Sequence, residues 1–398
     1  MNFKKVISLL IGVFVLTSWN VQAQNVLLAS NYIKSTDIDA VPGVLNMLKE
    51  ARAKKIKKLV FEKKTYHFYN DRAFSKWCDI SNHDSGMKNI AFPILNFDDL
   101  EIDGNGAMFI MHGLIVPFAI ENSKSIKLAN LSIDWDRPMH SELTVVSVDS
   151  AKRTVDFHID KQYPYEIRNG ELIFLKKGYE HNLEQSLYWD PKTMAIVFQS
   201  QKYDQINQNA HNIKATNNDL IDTLYGIDKN SPAYKYRGKD NELYAQEIEP
   251  GLVKITNLIK HVPKVGWILV AKGKNGYNRM APAIFVSHSD EINLNNVTVH
   301  HAPGMGLIAQ NSSNINLFKF GVKLNPANKR ILTTTADATH FVGCRGKITM
   351  DSCNYQNQLD DATNIHGTYV TVKDFKENTA GIYIGHFQQN NFDFARPG

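Results

Sequence analysis

From Ile90 onward, short runs of alternating apolar and polar residues recur along the chain. Phe97 to Gly104, Ser125 to Ile133, Glu291 to Val299, Asn314 to Val322 and Lys347 to Tyr355 share one plan. Each has an apolar–polar–apolar triplet, a break that often contains Asn, and a second alternating pair. Where copies adjoin, they recur about every two dozen residues, a period typical of stacked repeat architectures. Alternation at period 2 within a fixed interval predicts an all-β fold, a parallel β-helix in which each coil lays its apolar residues on the next. A β-sandwich also gives short alternating strands, but it does not demand the same text at a fixed interval. Asn at the bends tolerates unusual backbone angles and can stack as a ladder.

Ahead of the repeats, residues 36–56 read as a helix. Ser35 or Thr36 can cap it, Asp37 and Asp39 suit its positive end, and Val41, Leu45, Leu48 and Ala51 form its apolar stripe. Strands follow at Leu59 to Phe61 and Tyr66 to Phe68. A helix in this place covers the open end of the first coil. The repeats stop near Pro138 and resume near Ala281. Between them, Leu143 to Val148 and Thr154 to Ile159 read as a hairpin, with further strands at Glu171 to Leu175, Ala195 to Phe198, Leu252 to Ile255 and Trp267 to Val270. The polar segment Gln201 to Asn217 reads as a surface loop. The organisation is a leader (1–23), an N-terminal cap with the first coils (24–137), an inserted β-barrel-like module (138–280), and further coils (281–398). After Ile382 no polar element closes the last coil, so the natural protein is expected to continue.

Lys4 and Lys5 precede an apolar run from Val6 to Leu16, and Val21-Gln22-Ala23 offers a signal-peptidase site with cleavage after Ala23. That run is too short to span a bilayer comfortably, and no later stretch qualifies, so stable membrane insertion is not expected. The mature chain is expected to be exported, periplasmic or secreted. Three cysteines, Cys78, Cys344 and Cys353, leave at least one thiol unpaired. Cys344 and Cys353 flank the Ile348 strand closely enough to be brought together, although each also suits a small buried position. A net charge of +5 over 398 residues is modest. Lys54, Lys55, Lys57 and Lys58 follow the helix as a solvated end, and no basic surface with stacking aromatics points to nucleic acid.

The densest chemistry lies between Ala336 and Gly367. Asp337, Asp360 and Asp361, with Thr339, His340, Arg345, Gln356, Gln358, Thr363, Asn364 and His366, flank the strand-like Lys347 to Met350. Acids, amides and imidazoles so placed suit a site that grips hydroxyls and moves protons. Two carboxyl groups about a glycosidic bond are the usual machinery of sugar hydrolysis, whereas an Asp-Asp pair can also simply cap a turn. Adjacent residues of a regular strand point to opposite faces, so Asp360 and Asp361 can share one sugar only at a bend. Trp135 ends a coil strand, where it can stack on a sugar or pack against the insert. Arg279 sits where the insert rejoins the coils, within reach of hydroxyls. One of His300 and His301 can face the cleft, and His340 and His366 lie beside the aspartates as contacts or as structural histidines. Asp103-Gly104-Asn105-Gly106 reads as a turn without the helix context of a phosphate loop.

Several motifs together resemble glycoside hydrolase family 110, the bacterial exo-α-1,3-galactosidases. They are Tyr66 to Tyr69, Trp77 to Asp84, Ser132 to Pro138, Ala336 to Phe341 and Leu359 to Asn364, along with the leader and the helix. The resemblance implies a right-handed parallel β-helix with inserted β-barrel modules. It implies removal of terminal α-1,3-linked galactose from blood-group-B-type and linear α-Gal glycans, with inversion, without a metal or other cofactor. By motif, Asp337 becomes the general acid, while Asp360 and Asp361 hold and activate water. Trp135, Arg279, His301, His340, Asn364 and His366 are the candidate substrate contacts, and terminal α-galactosyl glycans the partners. Family members run well beyond Gly398. Two other readings stay open. A polygalacturonase-like hydrolase or a lyase on a β-helix would want a calcium cluster or more basic residues at the cleft. A non-catalytic glycan-binding β-helix would need the aromatics but not the three aspartates.

Overall fold

The computed structural model describes residues 25–183, 185–203, 244–256, 258, 261–273, 279–385, 389 and 393–394. The expected leader and most of the Gln201 to Asn217 loop lie outside the described residues.

Two long sheets are wound from one chain. In the first, strands Val26–Leu28, Lys58–Val60, Asp98–His112, Lys124–Trp135, Asp290–Val299, Ser313–Phe318 and Arg345–Asp351 lie side by side in that order, all parallel. In the second, Gly86–Leu95, Val116–Glu121, Ile284–Ser287, Leu307–Gln310, Thr339–Val342 and Thr363–His366 run parallel. Phe74–Cys78 closes one edge of this sheet as an antiparallel neighbour of Gly86–Leu95. Successive coils give one strand to each sheet, so the repeats build the expected parallel β-helix.

The repeat sets the register. Ile292 pairs with Ile126 on one side and Ile315 on the other, and Leu294 pairs with Leu128 and Leu317. All six are buried, so like residues stack coil upon coil in one continuous core. The expected Asn ladder is present. Asn296 Nδ2 donates to Asn130 Oδ1 at 3.0 Å, and Asn130 Nδ2 donates to Asp103 Oδ1 at 3.1 Å. Asn130 and Asn296 hold left-handed backbone angles, φ 54° and 53°, which Asn accommodates more readily than most residues. Inside the bends runs a serine column: Ser123 N donates to Ser289 Oγ and Ser289 N to Ser312 Oγ, each at 3.1 Å.

Three local expectations are corrected. The helix is Val41–Lys54, shorter than 36–56, because Pro42 occupies its first turn and Asp39 Oδ1, not Ser35 or Thr36, receives the Val41 N–H at 3.0 Å. Val44 and Met47 join the buried stripe, while Leu45 is only half-buried. Asp103-Gly104-Asn105-Gly106 is a register shift inside the long strand Asp98–His112, not a turn between strands. Cys344 and Cys353 are half-buried and not joined as a disulfide; their thiols donate separately to the carbonyls of Ala309 and Leu317.

Between Trp135 and Ile284 the chain leaves the stack to build a module with its own core, including Leu143, Phe157, Phe174 and Leu269. Its seven-stranded sheet runs Ala195–Ile196, Gln185–Asp190, Ile268–Gly273, Ser141–Asp149, Thr154–Ile159, Leu252–Ile255, Ala245–Glu249, all antiparallel. The excursion does not break the stack, because Lys124–Trp135 pairs directly with Asp290–Val299.

Candidate active site

The residues just ahead of each strand in the second sheet form a column along one edge of the stack. Thr339 pairs with Leu307 and with Thr363 on the two neighbouring coils. Two residues earlier, the same register stacks Asp337 over Asp361. Backbone bonds hold the column: Gly306 N donates to Asp337 O at 3.0 Å, and Ala338 N to Asp361 O at 2.9 Å. Asp360 and Asp361 lie in the bend before Thr363–His366, so the adjacent pair escapes the strict alternation of a strand.

The three carboxylates have different surroundings. Asp337 is 2% exposed, and its Oδ2 lies 2.7 Å from His340 Nδ1. His340 is fully buried, with Nε2 2.8 Å from His366 Nε2, and His366 Nδ1 is 2.7 Å from the Gly367 carbonyl oxygen. The two rings stand edge to face, 4.8 Å apart. Asp360 accepts from Arg279 Nη2 at 2.6 Å, its side chain 43% exposed. Burial pushes the Asp360 carboxyl above its ordinary range, and the Arg279 guanidinium opposes it. Asp361 is exposed and accepts from Asn364 Nδ2 at 3.3 Å.

Arg279, His340, Asn364 and His366 therefore gather with Asp337, Asp360 and Asp361. Trp135 and His301 do not. Trp135 is buried, donates from Nε1 to Gly113 O at 3.1 Å, and packs edge-on against His301 at 5.6 Å, so its ring has no open face for a sugar. His301 is 0% exposed and fully engaged: Nε2 receives the Met139 N–H at 3.0 Å and Nδ1 donates to Thr333 O. His300 bonds the Lys323 carbonyl at 2.9 Å. Trp135 and His301 belong to a buried seam between insert and coils. There His140 Nε2 lies 2.9 Å from Glu142, whose carboxyl burial pushes up to about 7, and Arg330 pairs with Asp134 at 2.7 Å.

Sequence reasoning passed over one group. His83 and Asp84 follow the strand Phe74–Cys78, and Lys88 lies on the next strand of the hairpin. Asp84 N donates to Arg279 O at 3.2 Å, Lys88 Nζ to Met280 O at 2.8 Å, and Met305 N to His83 Nε2 at 3.2 Å. Burial pushes Asp84 up to about 6, against the pull of Lys88 and Arg279, and its Oδ2 is buried with no hydrogen-bond partner. Gly304 makes room for this packing: a Cβ there would lie 2.4 Å from His83 Nε2 and 2.8 Å from Ala281 O. The signals were the polar density of Asp79 to Asp84, in a segment outside the repeats, and the place of Trp77 to Asp84 among the resembling motifs, neither of which assigned His83 or Asp84 to the site.

A buried carboxyl on an imidazole pair, facing a half-exposed carboxylate clamped by arginine, can hand over a proton at one point and accept one at another. Among the described residues, no group of three or more His, Cys, Asp or Glu side chains is placed to hold a metal ion.

Comparison with known proteins agrees with this architecture. Residues 141–269 match the family described as GLAA-B beta-barrel domain I. The chain is 31% identical over 366 residues to an alpha-1,3-galactosidase A of Shewanella woodyi, covering 90% of this chain and 54% of that protein. It is 30% identical over 337 residues to an alpha-1,3-galactosidase B of Bacteroides thetaiotaomicron, covering 83% and 48%. It is 31% identical over 370 residues to an alpha-1,3-galactosidase B of Parabacteroides distasonis, covering 91% and 54%. The chain thus spans about half the length of these relatives.

Proposed function

Because this chain is kin to the α-1,3-galactosidases of glycoside hydrolase family 110, we propose that it is an exo-acting hydrolase of terminal α-1,3-linked galactose. Blood-group-B-type and linear α-Gal glycans are its substrates, and it acts in one step with inversion. The observation that carries the reading is the stacking of Asp337 and Asp361 on adjacent coils, with Asp360 clamped by Arg279 between them and the return of the insert.

Asp337 is the general acid. Its carboxyl protonates the leaving glycosidic oxygen as the bond to C1 breaks. Asp360 and Asp361, charged and more open, hold a water on the opposite face of the sugar, and one of them takes its proton as the water oxygen bonds C1. Arg279 orients Asp360, and Asn364 orients Asp361. The chain is exported, its leader removed after Ala23.

Proton NMR of the anomeric signals, followed in the first minutes with branched B trisaccharide and separately with linear α-1,3-galactobiose, tests this reading. Early β-galactose supports it, and the two substrates compared reveal whether the fucose branch matters. Early α-galactose overturns the single-step roles. No release from either substrate by folded protein overturns the galactosidase reading.

A further inference from the structure

The imidazole pair behind Asp337 has a polarity that follows from its hydrogen bonds once both rings are neutral. The Gly367 carbonyl oxygen can only accept, so the 2.7 Å contact requires His366 Nδ1 to carry its proton. A neutral His366 then offers a lone pair at Nε2. The 2.8 Å contact to His340 Nε2 is a bond only if His340 donates from that nitrogen. A neutral His340 is left with a lone pair at Nδ1, 2.7 Å from Asp337 Oδ2. Two acceptors do not meet at that distance without a proton between them. Two alternatives fit the same distances: an ionised Asp337 against a doubly protonated His340, and an ionised Asp337 accepting from His340 Nδ1 while a doubly protonated His366 donates to His340 Nε2; both bury a carboxylate where Asp337 is 2% exposed.

We propose that His340 and His366, anchored on the Gly367 carbonyl, are positioning residues that keep Asp337 loaded with the proton it delivers. The proposal rests on the galactosidase reading and deepens it. When the C1–oxygen bond breaks, its electron pair stays on the leaving oxygen, which takes the Asp337 proton. Asp337 becomes a carboxylate facing the lone pair of His340 Nδ1, an arrangement without a bond, which a proton from solvent repairs. The relay stores no net charge and passes nothing to the substrate itself. Its work is to make the empty state of Asp337 the unfavourable one.

Two measurements test this on the full chain. In protein labelled with 15N-histidine, His340 and His366, assigned by signal loss in His340→Gln and His366→Gln, are expected as two opposite neutral tautomers, Nε2–H and Nδ1–H. A doubly protonated His340, or a His366 carrying its proton on Nε2, overturns the proposal. The second measurement is kinetic. His366→Lys replaces the acceptor with an obligate donor and reverses the relay. Turnover of galactobiose, whose leaving group needs a proton, is expected to fall about 100-fold. Turnover of an aryl α-galactoside with an acidic phenol leaving group falls less than about tenfold, because its departure needs little acid assistance. His366→Gln, which can still accept, restores galactobiose turnover to within about tenfold of the unaltered protein. Equal losses on both substrates overturn the proposal. If the unaltered protein cleaves neither substrate, the galactosidase reading fails by itself, and the tautomer pattern still decides whether the relay has this polarity.

Discussion

Two carboxyl–imidazole–imidazole chains among the described residues meet their carboxyl groups in opposite senses. In the outer one, Asp136 Oδ2 lies 2.7 Å from His112 Nδ1, and His112 Nε2 lies 2.9 Å from His67 Nδ1. Burial works to raise the Asp136 carboxyl, but its hydrogen bond to His112, the charge of that ring and the Arg137 N–H together hold it below the ordinary range. An ionised Asp136 only accepts, so His112 donates to it from Nδ1. In the inner chain the far end is the obligate acceptor, the Gly367 carbonyl, and the proton is driven toward the carboxyl. The residue types are the same. Solvent and a terminal backbone oxygen decide which end is the acid. Asp136 is 43% exposed on its side chain, and water can share its charge; Asp337 has no such help.

The contrast breaks most sharply at the carboxyls. Asp337→Asn is expected to lower galactobiose turnover about 1,000-fold, within the range for loss of a general acid. Asp136→Asn leaves turnover within about twofold, because it touches no reacting group, and parallel rate assays of the two variants check the difference. Next comes the floor of the inner site. Gly304→Ala drives a methyl into His83 and the Ala281 carbonyl. It is expected to cost about 1–3 kcal/mol in urea unfolding, as overpacked positions do. Arg279→Met acts on charge instead. Asp360 sits above its ordinary range because of burial, with Arg279 pulling the other way. A base must be ionised, so activity is lost as pH falls through its pKa. Removing Arg279 raises that pKa further, and the acid limb of the rate profile moves to higher pH, with turnover falling about tenfold at neutral pH. The smallest effect belongs to His112→Gln. A carboxyl held low contributes stability above its unfolded pKa and loses it as pH falls through the folded value. Cutting that bond therefore removes about 1 kcal/mol at neutral pH and flattens the acid side of a melting-temperature series.

What the chain disclosed beforehand follows from periodicity. The β-helix, the Asn ladder and the bend that frees Asp360 and Asp361 from strand alternation all rest on spacing, and spacing survives as register. Side-chain direction at strand ends does not. Trp135 and His301 end their strands where the insert covers them, and only the packed seam reveals that their rings turn inward. His83 and Asp84 lie far from the aspartates in sequence. They arrive because Phe74–Cys78 folds back against the edge of the second sheet. The direction of a hydrogen-bond chain was equally invisible, since it depends on a backbone oxygen at its end.

The direct pairing of Lys124–Trp135 with Asp290–Val299 has a kinetic consequence. The neighbouring coils of Asn293 and Asn316 join residues 23 apart, but Asn130 and Asn296 are 166 apart. Closing the longer loop from an unfolded chain costs about 1.7 kcal/mol more in entropy. The insert can remove most of that handicap by folding first, because its strands Ser141–Asp149 and Ile268–Gly273 pair and draw the two ends of the excursion together. The stack then zips across a short gap. The insert is in this sense a splint for the coils on either side of it, and a mutation deep in its core would surface as slow refolding of a β-helix in which no residue had changed.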